Sequence, residues 1–269
     1  MSVFVCPICK GELKKENGAY KCVNAHSFDI AKSGYVNLLT NDKMNSKVPG
    51  DSKEMVVSRR DFLLKGYYEP LKKELAKVAR NFVSGESPVY FDAGCGTAYY
   101  TKEVAESFSS PEVSGVDISK SAVNISAKYL KGAEFAVASV YDLPLKDESV
   151  DLITNVFSPM ADREYLRILK KGGHLLYVVP APDHLFNLKT LLYDTPYLNT
   201  EEETSYEGLK EAKKIKVEFK LNIESSNDIL SLFTMTPYFW RTPKGAQEKI
   251  LSTPSLTDTA SFYILVFEK

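Results

Sequence analysis

The sequence predicts an α/β protein built on a largely parallel sheet, with a small metal-held appendage at its N-terminus. Three observations carry this. From residue 89 onward, apolar runs of strand length recur, each closing on polar residues and separated from the next by helical spacing. The first of these runs ends in an acid and two glycines. Three cysteines and a histidine crowd the first 26 residues in paired spacing.

The stretch Val89 to Thr97 reads Val-Tyr-Phe-Asp-Ala-Gly-Cys-Gly-Thr, a buried strand running into a tight turn. Ala98 to Phe108 has helical spacing, so backbone N–H groups at a helix N-terminus would face a ligand that meets no Cβ at Gly94 or Gly96. A dinucleotide fingerprint wants a third glycine three positions after Gly96, where this chain has Tyr99, and a pyrophosphate cradle is therefore disfavoured. A second strand, Val113 to Asp117, closes on an acid placed to accept from ribose hydroxyls. The alternative for Asp117 is the cap region of the next helix, with Ser119 as the capping residue. A third strand, Glu134 to Val140, ends at Tyr141-Asp142-Leu143-Pro144, and a fourth, Val150 to Val156, ends at Asn155-Val156-Phe157-Ser158-Pro159. The fifth opens at Leu169 to Leu175 and stops at Pro180-Ala181-Pro182-Asp183-His184, at the sheet edge where ligands of open α/β sheets bind. That makes His184 a candidate site residue.

From Pro88 to Pro180 this order of features resembles the class I S-adenosylmethionine (SAM) dependent methyltransferases, with a Rossmann-like seven-stranded sheet. The resemblance implies SAM as cofactor, with Asp92, Gly94 and Gly96 beside its methionine part, Asp117 at the ribose and Asp142 near the adenine.

At the N-terminus, Cys6-Pro7-Ile8-Cys9 and Cys22-Val23-Asn24-Ala25-His26 supply four ligands for one tetrahedral zinc. Asn17-Gly18, a preferred two-residue hairpin turn, lies in the twelve-residue spacer, which favours a zinc ribbon over a helical finger. With all four coordination positions filled, the metal is expected to be structural. So small a module should not fold without it, while the sheet should keep its cofactor site.

Length and charge bound the rest. With 269 residues there is room for one large domain and a small one. The 34 basic and 35 acidic residues nearly cancel, yet residues 1–60 carry +4 and the remainder −5, so polyanion contact is expected at the N-terminal end. No apolar stretch reaches the roughly 18–20 residues of a membrane span and no signal-peptide layout is present, so a cytoplasmic location is expected.

Phe28 to Leu39 has strand-like spacing, and the polar run Thr40 to Lys53 with Pro49-Gly50 reads as a loop. Asp51 or Ser52 can cap a helix that carries Arg59 and Arg60 and stops at Gly66. Paired arginines suit phosphate contacts, or form a solvated helix face. Pro70 starts the next helix, whose Leu71, Leu75, Val78, Ala79 and Phe82 should pack on the sheet. Beyond the fifth strand, Glu201 to Lys213 and Asp228 to Phe233 read as helices, Ile215 to Leu221 and Phe262 to Phe267 as the last two strands. Met235 to Arg241 gathers aromatics that serve as core or as a wall for a planar base. The expected division is 1–39 zinc ribbon, 40–66 linker and helix, and 67–269 methyltransferase domain.

Several stretches together resemble a narrower family, the 23S rRNA guanine-N1 methyltransferases. These are Cys6-Pro7-Ile8-Cys9 with Cys22 and His26, the run His26 to Leu39, Pro49-Gly50-Asp51-Ser52, Arg59-Arg60, Gly66 to Leu71, the glycine loop, and Met235 to Trp240. The resemblance implies Cys6, Cys9, Cys22 and His26 as zinc ligands, and Tyr68, Gly96, Thr97 and His184 at SAM. It implies a 23S rRNA hairpin as partner, with a homodimer as a further expectation. Thr97 departs from the pattern, since relatives often have an acid there, and Asp142 is not an acid throughout the family. Guanine N1 carries a proton that must leave before its lone pair can attack, so a base or a polarising acceptor is needed. The end of the fourth strand offers Asn155 and Ser158 but no carboxylate. The competing readings are a methyltransferase for a small molecule, or a zinc-dependent RNA-binding protein with a vestigial SAM fold.

Overall fold

A computed structural model describes residues 2–40, 50–201, 205–242 and 245–269. The ribbon is a three-stranded antiparallel sheet of β1 (Lys14–Glu16), β2 (Ala19–Lys21) and β3 (Ser27–Asp29). Asn17 and Gly18 close the first hairpin with φ of 49° and 77°, the left-handed pair that a two-residue turn of this type requires. Of the loop expected over Thr40 to Lys53, residues 41–49 lie outside the described ones, Pro49 among them.

The main sheet is threaded by β4 (Val36–Asn37), β5 (Val89–Ala93), β6 (Glu112–Asp117), β7 (Glu134–Val137), β8 (Val150–Val156), β9 (Leu169–Pro180), β10 (Lys210–Ile223) and β11 (Leu256–Glu268). Their order is β10-β11-β9-β8-β5-β6-β7-β4. The strands from β4 to β9 pair in parallel, and β11 runs antiparallel between β9 and β10. Seven strands were expected, and the structure has an eighth. β4, at the end of the ribbon segment, adds Val36 and Asn37 to the edge of β7.

Helices cover the sheet: α1 (Lys53–Leu64), α2 (Glu69–Phe82), α3 (Tyr99–Glu106), α4 (Lys120–Tyr129), α5 (Asp162–Ile168), α6 (Phe186–Leu192), α7 (Ser226–Thr234), α8 (Tyr238–Arg241) and α9 (Ala246–Leu251). Ser52 caps α1 by accepting from Met55 N at 3.3 Å. Pro70 sits in the first turn of α2, whose Leu71, Leu75, Val78 and Ala79 are buried as the spacing requires.

One expected element is replaced. Residues 205–213 do not form the helix expected over Glu201 to Lys213: residues 202–204 lie outside the described ones, Tyr206 and Leu209 bridge across a turn at Gly208, and Lys210 already begins β10. The Glu- and Lys-rich composition favours a helix locally, but β11 offers a partner over nearly the whole length of β10, and that pairing wins.

Ribbon and sheet share one apolar cluster. Phe4, Leu13, Tyr20 and Leu38 are buried together with Phe91, Val116 and Ile153 of the sheet. Burying a side chain such as Phe4 contributes about 1.5–3 kcal/mol before ordering costs, so the ribbon is fastened to the sheet and not tethered beside it. Among the described residues, no helix is long and apolar enough to cross a membrane.

Candidate functional site

In the ribbon, the donor atoms of Cys6, Cys9, Cys22 and His26 all lie within 4.8 Å of one another. Cys9 Sγ and Cys22 Sγ are 3.6 Å apart, and His26 Nδ1 lies 3.5 Å from Cys6 Sγ and 3.3 Å from Cys22 Sγ. A tetrahedron with Zn–S near 2.3 Å and Zn–N near 2.0–2.1 Å has edges of about 3.4–3.8 Å, so the set fits a single zinc ion. The Gly11 N–H draws the Cys9 thiol down to about 6, toward the thiolate that zinc takes.

The sheet reverses its winding between β5 and β8, and there the C-terminal edge opens into a cleft of about 910 Å³. Its floor is the glycine loop. Gly94 has φ 80°, and a Cβ on it would come within 2.2 Å of Ser158 Oγ, so only glycine lets the end of β8 close over the end of β5. Gly96 follows at φ 53°. α3 starts behind the loop at Ala98, which is left-handed (φ 62°) and gives no side-chain cap, so the first amides of the helix are left for a ligand.

Asp117, at the end of β6, accepts from Gly96 N at 3.0 Å and Ser119 N at 2.7 Å. Its enclosure raises its pKa, while those two donors and Arg59 pull it back. Ser119 stands at the N-cap of α4 without a side-chain cap bond, so Asp117 serves the turn before α4 and faces the cleft as well. Asp92 is deeper: Thr101 and Thr154 hydroxyls donate to its carboxylate, Tyr90 joins through Thr154, and burial lifts its pKa to about 6.

The end of β8 is held by Asn155. Its carboxamide donates to Pro159 O at 3.0 Å and to Tyr165 OH at 2.9 Å, and its oxygen accepts from Ser158 N at 3.1 Å. These bonds occupy Asn155 in shaping the loop, and the residue is fully buried. Ser158 reaches the cleft. Between them Phe157 is held left-handed, at φ 57°, which turns its ring out over the cleft beside Tyr100 and Phe262; it remains 44% exposed.

His184 is buried against the Phe262 ring and lines the same cleft. Its Nδ1 accepts from Ser261 N at 3.2 Å, which places the proton of the neutral ring on Nε2. Burial pushes its pKa down to about 3, so it is neutral at physiological pH. Tyr68 and Thr97 complete the lining on the α2 and α3 side.

Seven of the eight residues expected at the cofactor thus border one cleft: Tyr68, Asp92, Gly94, Gly96, Thr97, Asp117 and His184. Asp142 does not. Its carboxylate meets Lys10 of the ribbon at 2.9 Å, and Ser139 and Tyr141 of the same loop face the cleft instead. Further residues line the cleft, and of those named next only Tyr100 escapes the sequence reading. Arg59 turns into the cleft, ion-paired with Asp51 and donating to Met235 O at 3.4 Å, while Arg60 pairs with Asp61 outside it. Tyr100 brings a buried hydroxyl with no protein partner. Its position directly after the glycine loop was the available signal. Met235, Thr236, Pro237 and Tyr238 form a wall of the cleft, with Tyr238 also part of the core.

A glycine cradle that a Cβ would fill, an orphaned hydroxyl and a carboxylate beyond β6 fit SAM. The fold is that of a class I SAM-dependent methyltransferase. A family model for a methyltransferase domain matches residues 91–173, and one for the RlmA N-terminal zinc ribbon matches residues 4–47. The chain is 40% identical over 185 residues to the 23S rRNA (guanine(748)-N(1))-methyltransferase of Streptomyces fradiae, a match spanning 68% of this chain and 65% of that protein. It is 35% identical over 203 residues to a putative 23S rRNA (guanine-N(1)-)-methyltransferase of Micromonospora griseorubida, spanning 68% and 67%. A third relative, the putative 23S rRNA (guanine-N(1)-)-methyltransferase YxjB of Bacillus subtilis, is 28% identical across 98% of this chain and 96% of its own length. The chain belongs to the 23S rRNA (guanine-N1)-methyltransferase family.

Proposed function

We propose that this protein methylates N1 of a guanine in a hairpin loop of 23S rRNA, with SAM as donor and one structural zinc, in the cytoplasm. The observation that carries the reading is the single cleft in which the glycine loop, Asp117 and an outward-turned aromatic at the end of β8 meet. Bound there, SAM supplies an electrophilic methyl group.

The residues of the chain do the rest. Asp117 would accept from the two ribose hydroxyls, and the amides behind Gly96 would hold the methionine end. His184 presents a fixed Nε2–H donor and, being neutral, adds no positive charge beside a sulfonium. Asn155 keeps the β8 loop in shape, and Ser158 is the hydroxyl that loop brings to the target nitrogen. Phe157 offers its exposed face to an extruded guanine, for which stacking on an aromatic contributes about 1–3 kcal/mol. Holding the nucleobase edge-on to the donor supplies rate by positioning. The division 1–39, 40–66 and 67–269 describes tasks: phosphate contact, a linker leading to the helix whose Met55 and Arg59 line the cleft, and catalysis. A homodimer is proposed alongside, read as twice the mass of one chain in light scattering.

Labelled SAM tests the reading against its rivals. Label should pass to 23S rRNA fragments and not to small acceptors, and Asp117→Ala should weaken SAM binding roughly tenfold or more. Label moving to a small molecule, or SAM bound with no transfer to RNA, contradicts it.

A further inference from the structure

We infer that the zinc knuckle of the ribbon positions the cofactor-facing loop 139–145, so that zinc in the ribbon sets the affinity for SAM in the sheet. The inference rests on the cofactor reading above and adds to it a coupling between the two modules.

Loop 139–145 leaves β7 and has two sides. On one, Ser139, Val140 and Tyr141 face the cleft, with Tyr141 64% exposed and therefore held by its backbone and not by packing. On the other, the loop is clamped twice. The first clamp is α5: Leu143 N donates to Glu164 at 2.6 Å, and Arg167 donates to Leu143 O at 2.9 Å and Leu145 O at 2.7 Å. The second is the ribbon. Val5 N donates to Pro144 O at 2.8 Å, Phe4 bridges Leu145, and Lys10 Nζ meets Asp142 at 2.9 Å.

The ribbon half of this clamp depends on the metal set. Val5 precedes Cys6, and Lys10 follows Cys9. Lys10 is left-handed (φ 57°), its N–H donating to Cys6 O at 2.8 Å, and Cys6 N donates to Gly11 O at 2.8 Å. This tight turn around Cys6 and Cys9 is the turn a zinc knuckle needs, and it aims the Lys10 ammonium at Asp142. Without the metal, the turn has little to hold it and one of the two clamps opens. The cofactor loop then keeps only its α5 side, and its amides sample open conformations more often. The Asp142 carboxylate, expected from the sequence to approach adenine, acts instead through the loop as a positioning group.

The test uses the zinc-loaded full chain. Lys10→Ala and Asp142→Asn leave all four zinc ligands in place. Each should retain one zinc, raise the Kd for SAM about two- to fivefold, the range an exposed ion pair supports, and speed hydrogen exchange at 139–145 without changing it at 89–97. Lys10→Arg should restore both values. Chelating the zinc from wild type should raise the Kd about tenfold or more and loosen the same loop. Wild-type Kd and wild-type exchange at 139–145 in both variants would overturn the inference. A wild-type holoprotein that binds no SAM would instead overturn the cofactor reading.

Discussion

At the scale of single residues, Asp92 shows how the site is held under tension. Its carboxylate lies buried beneath the glycine loop with two threonine hydroxyls donating to it, and its pKa is lifted to about 6 from an ordinary 3.8. A carboxyl raised in the folded state adds stability below its unfolded pKa and loses it as pH rises through the folded one. Above pH 6 the charge therefore costs about 3 kcal/mol, at 1.36 kcal/mol per unit. Asp92→Asn should be more stable than wild type at pH 8 by up to that amount, and the gap in chemical denaturation should close toward pH 4. A gap independent of pH would show that the carboxylate is not strained. His184 runs the other way. Its ring stays neutral down to about 3, so its share of stability is present above 6.5 and lost as pH falls.

Residue chemistry was the most legible layer. The set Cys6, Cys9, Cys22 and His26 and the glycines beside Asp92 are named by spacing, because metal coordination and positive φ admit few residue types. Side-chain direction was less so. Nothing in the order Arg59-Arg60 says which one turns into the cleft; the packing of α1 across α7 and α4 decides it. Asp142 and Ser139 lie three residues apart on one loop, and nothing in their order tells that Asp142 meets Lys10 of the ribbon, arriving from the far end of the sequence.

At the scale of elements, strand existence followed from pattern and strand length did not. β9 keeps its expected bounds, but β10 and β11 extend well past their apolar cores because each has a partner along its flank, a tertiary fact that also converted an expected helix at Lys210 to Lys213 into strand. The ribbon hairpin carries a different signal. Lys14 of β1 and Lys21 of β2 are cross-strand partners, both exposed, and like charges directly opposite each other destabilise a ladder. The phosphate contact proposed for the ribbon gives that pairing a use, while Arg59 on α1 is ion-paired with Asp51. A Lys14→Ala, Lys21→Ala variant should bind SAM as wild type does and an rRNA fragment more weakly. Its plot of log affinity against log salt should be shallower by roughly 0.7–0.9 per lost phosphate contact. An unchanged slope would place the phosphate site elsewhere.

At the scale of the whole molecule, the sequence suggests two modules that fold apart, and the structure joins them. The ribbon contributes Phe4, Leu13, Tyr20 and Leu38 to a cluster that reaches Phe91 and Ile153 under the cleft, and β4 extends the sheet itself. Metal loss should therefore be felt at the cofactor. One continuous body would carry phosphate contacts at the ribbon and chemistry at the switch point, so a hairpin held by its backbone can present one base to Phe157 and Ser158.

The proposed function implies a specific product, and reverse transcription reads it most directly. A methyl on guanine N1 blocks Watson–Crick pairing. Treating 23S rRNA with the zinc-loaded protein and SAM should create a single new stop at a hairpin-loop guanine, absent without SAM and weakened in Phe157→Ala. Methyl incorporation without any stop would mean that the methyl sits on an atom that leaves pairing intact, and would contradict methylation at N1.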